Sequence, residues 1–163
     1  MILRGQELAG RNGHEAGCAL LGQMFREHTG RELPQICRSP SGKPFIDGEN
    51  IHFSLSHTKE HVFCVLSAEP VGLDAEEMDR QIDLRLAKKI LSPEEYAQFL
   101  QAEDQRLALL TFWVLKEAQV KFTGEGLRGY PNHTNFSLDD PRVRVLNGCL
   151  VAIIGNGGGE NAV

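Results

Sequence analysis

Val71-Gly72-Leu73-Asp74-Ala75-Glu76 alternates apolar residues with small or acidic ones, which predicts a short β-strand. Successive side chains of a strand point to opposite faces, so Asp74 and Glu76 share one face. Carboxylates are the hard oxygen ligands that Mg²⁺ prefers. A D-x-E pattern is weak on its own, and an exposed strand end is its more common meaning.

The longest helical pattern follows this strand and covers residues 105–123, with Gly124 as its stop signal. Phe112 and Trp113 are expected to pack in the core on this helix. Glu117 lies among apolar neighbours, where a solvated carboxylate is unexpected. It could be a third metal ligand, or it could form an ordinary ion pair with Lys121 four residues on.

The remaining elements complete an α+β domain. The pattern predicts helices over residues 14–28 and from Pro93, where Ser92 is the N-cap, and strands over residues 51–55, 61–67, 134–138, 143–146 and 149–154. Short connections between the first strands favour antiparallel pairing. Residues 38–44 form a turn-rich loop, and the Gly-rich tail over residues 156–163 is expected to be flexible.

Composition narrows the class of protein. A chain of 163 residues is expected to form one domain, and its net charge of −5 argues against general nucleic-acid binding. It has no apolar run long enough for a membrane span and no signal-peptide pattern, so a cytoplasmic location is expected. The four cysteines form no C-x-x-C pair and are expected to be reduced.

Nucleotide-binding and hydrolase patterns are missing from the sequence. There is no P-loop, and Gly124-Glu125-Gly126 follows a helix instead of opening one. Ser56-His57 ends a predicted strand and offers a hydroxyl and an imidazole to a phosphate or ribose. A lone histidine after a strand is usually structural, and the Ser-His spacing does not indicate a hydrolase.

Four motifs occur in a fixed order. They are Gly42-Lys43-Pro44, residues 53–58, residues 72–76, and residues 113–118 followed by Lys121 and residues 124–127. This series, which spans more than half of the chain, resembles the signature of 4′-phosphopantetheinyl transferases. The order matches the surfactin-synthetase-activating type, because the small trimeric acyl-carrier-protein synthases carry their D-x-E strand near the N-terminus.

The resemblance implies a monomer made of two pseudo-symmetric α+β halves, each a small antiparallel sheet packed on a long helix. These halves would cover about residues 1–75 and 76–155 of one transferase domain over residues 1–163. Coenzyme A and Mg²⁺ are expected in the cleft between the halves. Fewer residues precede Gly42 and follow Leu127 than in typical members, so basic contacts to coenzyme A from N-terminal strands are expected to be reduced.

The resemblance also implies roles for individual residues. Asp74, Glu76 and Glu117 match the carboxylates that connect through Mg²⁺ to the pyrophosphate of coenzyme A. The residues expected to contact coenzyme A are Lys43, Pro44, Ser56, His57, Lys116 and Lys121. For Lys116, a structural or surface role is an equal alternative.

The implied reaction is attack of a carrier-protein serine hydroxyl on the β-phosphate of coenzyme A, with 3′,5′-ADP leaving. In this reaction Asp74 helps to hold the metal and Lys121 stabilises the leaving group. Glu117 or a metal-bound water takes the serine proton. Replacing Asp74 or Glu117 is expected to abolish transfer without loss of stability, because clustered carboxylates repel one another.

Two alternatives remain at this point. One is a non-catalytic relative that binds coenzyme A or a carrier protein, and the other is a Mg²⁺-dependent phosphodiester or pyrophosphate hydrolase. The presence of three carboxylates together with Lys121 favours transfer. The expected partners are therefore coenzyme A and an apo carrier protein, with residues 78–104 as the carrier-facing segment.

Overall fold

The computed structural model describes residues 1–124 and 134–155, which form a mixed α/β fold with small antiparallel sheets. In chain order its elements are β1 (Ile2–Glu7), α1 (Gly13–Thr29), β2 (Ile36–Arg38), β3 (Pro44–Ile46), β4 (His52–His57), β5 (His61–Ser67), β6 (Val71–Glu77), a 3₁₀ turn (Leu84–Leu86), α2 (Ala87–Ile90), α3 (Pro93–Gln101), α4 (Gln105–Thr123), β7 (Val143–Leu146) and β8 (Cys149–Gly155). The predicted motif residues 125–127 and the predicted tail over 156–163 lie outside the described residues.

The first three-stranded sheet has the order β1-β5-β4 and is antiparallel throughout. The predicted α1 is confirmed, and it ends where Gly30 adopts a left-handed conformation with φ 71°. The sequence did not predict β1, which pairs with β5 from Ile2 opposite Leu66 to Glu7 opposite His61. Most of its side chains are only half-buried, so β1 lacks the apolar run that marks β5.

The second sheet has the order β6-β8-β7, and α4 packs against it. The predicted bounds of α4 are confirmed. The expected antiparallel pairing is confirmed for β4 and β5, whereas β6, which also follows a short connection, pairs antiparallel with β8. The short connection over residues 68–70 therefore carries the chain from one sheet to the other.

Residues 134–138 were expected to form a strand, and the structure shows none there. Side chains of α3 satisfy this backbone in place of a neighbouring strand. The Phe136 N–H donates to Glu95 Oε1 at 3.0 Å, and the Leu138 N–H donates to Gln98 Oε1 at 3.2 Å. Polar side chains of α3 thus take the place of a neighbouring strand as hydrogen-bond partners. The alternation of apolar residues over 134–138 could not indicate this arrangement.

The helices and sheets form four layers in the order α1, first sheet, second sheet, α4. Side chains on the inner faces of the two sheets meet in one apolar cluster that includes Phe63 of β5, Leu73 of β6 and Val151 of β8. Because side chains alternate along a strand, Val62 points the other way toward α1 and Ala152 toward α4. Asp74, next to Leu73, therefore lies on the α4 face.

Gly72 permits the close approach of β6 to α4. A Cβ atom at Gly72 would lie 2.1 Å from the Ala118 carbonyl oxygen and 2.4 Å from the Phe122 nitrogen. Both are backbone atoms of a helix, so neither can move aside alone. The lack of a side chain at Gly72 therefore sets the distance between the Asp74 strand and α4.

We expect Gly72→Ala to lower the free energy of unfolding by about 1–3 kcal/mol or more, the usual cost of overpacking a core. Urea denaturation followed by circular dichroism measures this loss. Gly22→Ala is the matched control, because a Cβ there meets nothing within 4 Å and alanine favours the helix. Equal stability of the Gly72→Ala variant and the parent protein would show that β6 and α4 are not in this contact.

Two further findings concern membrane-spanning helices and the cysteines. Within residues 1–124 and 134–155, no helix is both long and apolar enough to cross a membrane. All four cysteines are free thiols, as expected, with Cys64 and Cys149 buried. Burial raises the pKa of the Cys64 thiol to about 12, so this thiol is unreactive near neutral pH.

Candidate active site

Strands β4 and β6 meet at the boundary between the two sheets, where serine side chains take the place of a backbone ladder. The Leu73 N–H donates to Ser54 Oγ at 3.0 Å, and the Ala75 N–H donates to Ser56 Oγ at 3.2 Å. Both serines are buried. The two hydrogen bonds flank Asp74 and hold its strand beside β4. We call these paired contacts the serine seam.

Asp74 is the central residue of the site and is only 6% exposed. Its Oδ1 accepts hydrogen bonds from Lys121 Nζ at 2.7 Å and from Ser56 Oγ at 3.0 Å. Lys121 Nζ also donates to the Leu55 carbonyl at 3.2 Å. The other carboxylate oxygen, Oδ2, is buried and has no hydrogen-bond partner among the described residues. A buried anionic oxygen without a donor is costly unless a cation or other ligand satisfies it.

The other two predicted metal ligands lie on the same elements. Glu76 follows Asp74 on the α4 face of β6 and forms an ion pair with Arg80. Glu117 is half-buried on α4, one helical turn before Lys121. In the described part of the chain, no three His, Cys, Asp or Glu side chains form a group that could hold a metal ion.

The ion pairs of Asp74 and Glu76 correct one expectation about stability. The predicted cluster of Asp74, Glu76 and Glu117 was expected to be self-repelling, but Asp74 is paired with Lys121 and Glu76 with Arg80. Removing the Asp74 carboxylate leaves the partly buried Lys121 ammonium without that partner. We therefore expect Asp74→Ala to lower stability, whereas the repulsion argument predicted no loss.

A pocket of about 270 Å³ lies between the β2–β3 loop, β4 and the C-terminal part of α4, and Lys121, the partner of Asp74, lines it. It brings together three predicted site residues, Lys43, Pro44 and Lys121. A neighbouring pocket of about 430 Å³ shares Lys43 and Pro44 and extends to His52 and Phe122. The two lysines give this region a positive charge, which suits an anionic ligand with an apolar part.

Lys43 is held at the C-terminal end of α4. Its Nζ donates to the Phe122 carbonyl at 2.6 Å and lies 3.5 Å from the Val71 carbonyl oxygen. A lysine at this end of a helix interacts favourably with the partial negative charge of the last carbonyls. Partial burial lowers the pKa of the Lys43 ammonium. Lys43 therefore ties the loop to α4 as well as lining both pockets.

Ser56 and His57 were expected to lie at the end of the strand predicted over residues 51–55 and to face one ligand, but β4 continues through both residues. Adjacent residues of a strand face opposite sides, so Ser56 points toward Asp74 while His57 points toward α1. The imidazole of His57 packs against Gly13, where a Cβ would lie 2.6 Å from the ring. Contact of His57 with coenzyme A stays a prediction.

Lys116 is not placed to bind a cofactor, which corrects one of its two expected roles. Its Nζ forms an ion pair with Glu95 Oε2 at 2.8 Å, and the two side chains are 1% and 0% exposed. Glu95 also accepts hydrogen bonds from the backbone of Ser92 and Phe136. The structural alternative for Lys116 is therefore the one that the structure supports.

Comparison with known proteins identifies a family for this chain. A family model of the 4′-phosphopantetheinyl transferase superfamily matches residues 70–150, about half of the chain. The chain is 38% identical over 89 residues to the 4′-phosphopantetheinyl transferase gsp of Aneurinibacillus migulanus, covering 53% of this chain and 36% of that protein. It is 34% identical over 116 residues to the 4′-phosphopantetheinyl transferase psf-1 of Bacillus pumilus, covering 70% of this chain and 46% of that protein.

The chain belongs to the 4′-phosphopantetheinyl transferase superfamily, as its motif series predicted. A further relative is a 4′-phosphopantetheinyl transferase of Bacillus subtilis, 34% identical over 90 residues, or 53% of this chain and 39% of that protein. The aligned region thus spans between about a third and a half of the length of these relatives. The family model, over residues 70–150, includes β6 and α4 and with them Asp74 and Lys121.

Proposed function

We propose that this protein transfers the 4′-phosphopantetheine group of coenzyme A to a serine hydroxyl of an apo carrier protein, and that the reaction depends on Mg²⁺. The observation that carries the proposal is the state of Asp74. One of its oxygens is held by Lys121 and Ser56, while the other is buried without a partner among the described residues. The site lies beside a pocket lined by two lysines, and the relatives are named as enzymes of this reaction.

The fold supports a pseudo-symmetric domain over residues 1–163, with halves near 1–75 and 76–155. Each three-stranded sheet and its helix follow the same chain order of strand, long helix and two further strands, namely β1, α1, β4 and β5, then β6, α4, β7 and β8. The third of these strands lies in the middle of each sheet, in the orders β1-β5-β4 and β6-β8-β7, and β6 itself crosses the boundary near residue 75. Asp74 and the serine seam lie where the halves meet. This placement favours an active site between the halves, and it favours a monomer as the functional unit.

The buried Asp74 Oδ2, which has no partner among the described residues, fits a magnesium ion, although the three predicted carboxylates do not form one metal-binding group in that part of the chain. Asp74 would hold the ion, and Glu76 and Glu117 would join it by moving toward Asp74, since Mg²⁺ takes one or two protein carboxylates and completes its shell with water and phosphate oxygens. When bound, it supplies positive charge to the pyrophosphate of coenzyme A. Recruiting Glu76 as a ligand requires its carboxylate to leave the Arg80 guanidinium.

The remaining steps belong to residues of this chain. Lys43, Pro44 and the apolar wall of the pocket bind and orient coenzyme A. The carrier serine oxygen forms a bond to the β-phosphorus, and the bond from that phosphorus to the oxygen of 3′,5′-ADP breaks. Glu117 accepts the serine proton, and the Lys121 ammonium stabilises the charge on the leaving phosphate.

Product analysis with and without EDTA tests this function. We expect 3′,5′-ADP and a modified carrier to form in equal amounts when Mg²⁺, coenzyme A and an apo carrier protein are present, and neither to form when EDTA removes the metal. Nucleotide without a modified carrier would instead indicate hydrolysis. Binding of coenzyme A without any product would indicate a non-catalytic relative.

A further inference from the structure

We propose that Ser56 is a positioning residue that orients Asp74 for the metal ion, and that it does not bind a phosphate of coenzyme A. This inference rests on the proposed function, because it takes Asp74 as a ligand of the proposed metal ion. It assigns the two carboxylate oxygens of Asp74 to different partners. Oδ1 is held by Ser56 and Lys121, so the carboxylate plane is fixed and Oδ2 is left for a cation.

The hydrogen-bond capacity of the serine supports this role. A hydroxyl has one proton to donate and lone pairs with which to accept. An ionised carboxylate only accepts, so the Ser56 proton goes to Asp74 Oδ1, while Ser56 Oγ accepts the Ala75 N–H at 3.2 Å. A phosphate oxygen would need that same proton. Ser56 can serve Asp74 or a phosphate, and in the structure it serves Asp74.

The burial of Ser56 also supports a positioning role. Ser56 is only 7% exposed and lies inside the serine seam between the sheets. Its hydroxyl reaches across to the neighbouring strand, whereas Lys43 and Lys121 line the pocket. Partners that orient metal-binding groups typically change metal affinity about 10–100-fold when they are removed. An effect on metal binding is therefore the distinguishing property of Ser56.

Ser54 provides a matched control within the same strand. Its hydroxyl accepts the Leu73 N–H at 3.0 Å, as Ser56 accepts the Ala75 N–H, but the contact to Asp74 belongs to Ser56. Ser54→Ala and Ser56→Ala thus remove equivalent bonds of the serine seam. They differ in that Ser56→Ala removes a donor from Asp74, whereas Ser54 lines the pocket beside Lys121.

The test measures Mn²⁺ binding by electron paramagnetic resonance, with thermal unfolding of the metal-free protein in parallel. We expect Ser56→Ala to raise the Kd for Mn²⁺ about 10-fold, and Ser54→Ala to leave it unchanged. Ser56→Ala should also lower Tm more than Ser54→Ala, because it removes the bond to Asp74 as well as the bond from the Ala75 N–H. Ser56→Thr, which keeps the hydroxyl, should restore most of the affinity. The KM for coenzyme A should change less than the Kd for Mn²⁺ in the Ser56→Ala variant.

Two results overturn this inference. One is the same Kd for Mn²⁺ in the Ser54→Ala and Ser56→Ala variants. The other is a higher KM for coenzyme A with unchanged Mn²⁺ binding, which would make Ser56 a phosphate ligand. Both leave the proposed transfer intact. A parent protein that binds no Mn²⁺ and modifies no carrier would refute the proposed function itself, and the role of Ser56 with it.

Discussion

Asp74→Asn is expected to lower kcat/KM for transfer by at least about 100-fold, because it removes the charge that holds the metal in a water-poor site. Asparagine has nearly the same shape as aspartate and keeps one oxygen that can accept from Lys121 and Ser56. The variant should therefore fold, although the loss of the ion pair with Lys121 lowers its stability. Steady-state assays at saturating Mg²⁺ measure the effect, and circular dichroism checks the fold.

Asp140→Asn is the matched control for this substitution. Asp140 is also buried, and it forms an ion pair with Arg142 at 2.6 Å, a contact independent of Lys121 and Ser56. This variant should lose stability but retain transfer. If Asp74→Asn kept the activity of the parent protein, Asp74 would not be a metal ligand. If both variants lost activity equally, the loss would reflect folding and not the metal.

The second large effect concerns stability. Lys116→Met is expected to lower the free energy of unfolding by about 3–5 kcal/mol, the usual cost of leaving one buried charge without its partner. The charge left behind is that of Glu95, whose side chain is 0% exposed. Urea denaturation of the Lys116→Met protein measures the loss.

A double variant separates the ion pair from simple packing. Glu95→Gln together with Lys116→Met removes both charges, so it should be more stable than the sum of the two single losses predicts. Lys59→Met tests an exposed pair, Lys59 with Glu60 at 3.5 Å, and should change stability by less than about 1 kcal/mol. A Lys116→Met protein as stable as the parent would place Lys116 outside the core.

Local patterns explain what could be predicted from the sequence. The bounds of α4 follow from apolar residues at helical spacing and the glycine stop at Gly124, which takes φ 73°. The common face of Asp74 and Glu76 follows from strand alternation alone. The order of the motifs gave the superfamily. Each of these inferences uses residues that are close in the sequence or fixed by a repeat period.

Contacts between distant segments could not be predicted in this way. The Ser56 bond to Asp74 depends on how β4 and β6 approach each other, although alternating serines at 54 and 56 were a visible signal. The Lys116 partner, Glu95, lies in the first turn of α3, 21 positions before Lys116 in the sequence. Glu95 forms the ion pair with Lys116 because α3 packs on α4. Sequence spacing does not predict that packing.

The most direct test of the central claim is the intact mass of several apo carrier proteins after incubation with this protein, Mg²⁺ and coenzyme A. We predict a gain equal to one phosphopantetheine group on a carrier serine, which EDTA prevents because a hard-cation site is then emptied. The Asp74→Asn variant should give no gain under the same conditions. A gain that persists unchanged in EDTA would contradict the metal site, and coenzyme A binding without a gain on any carrier would contradict the transfer.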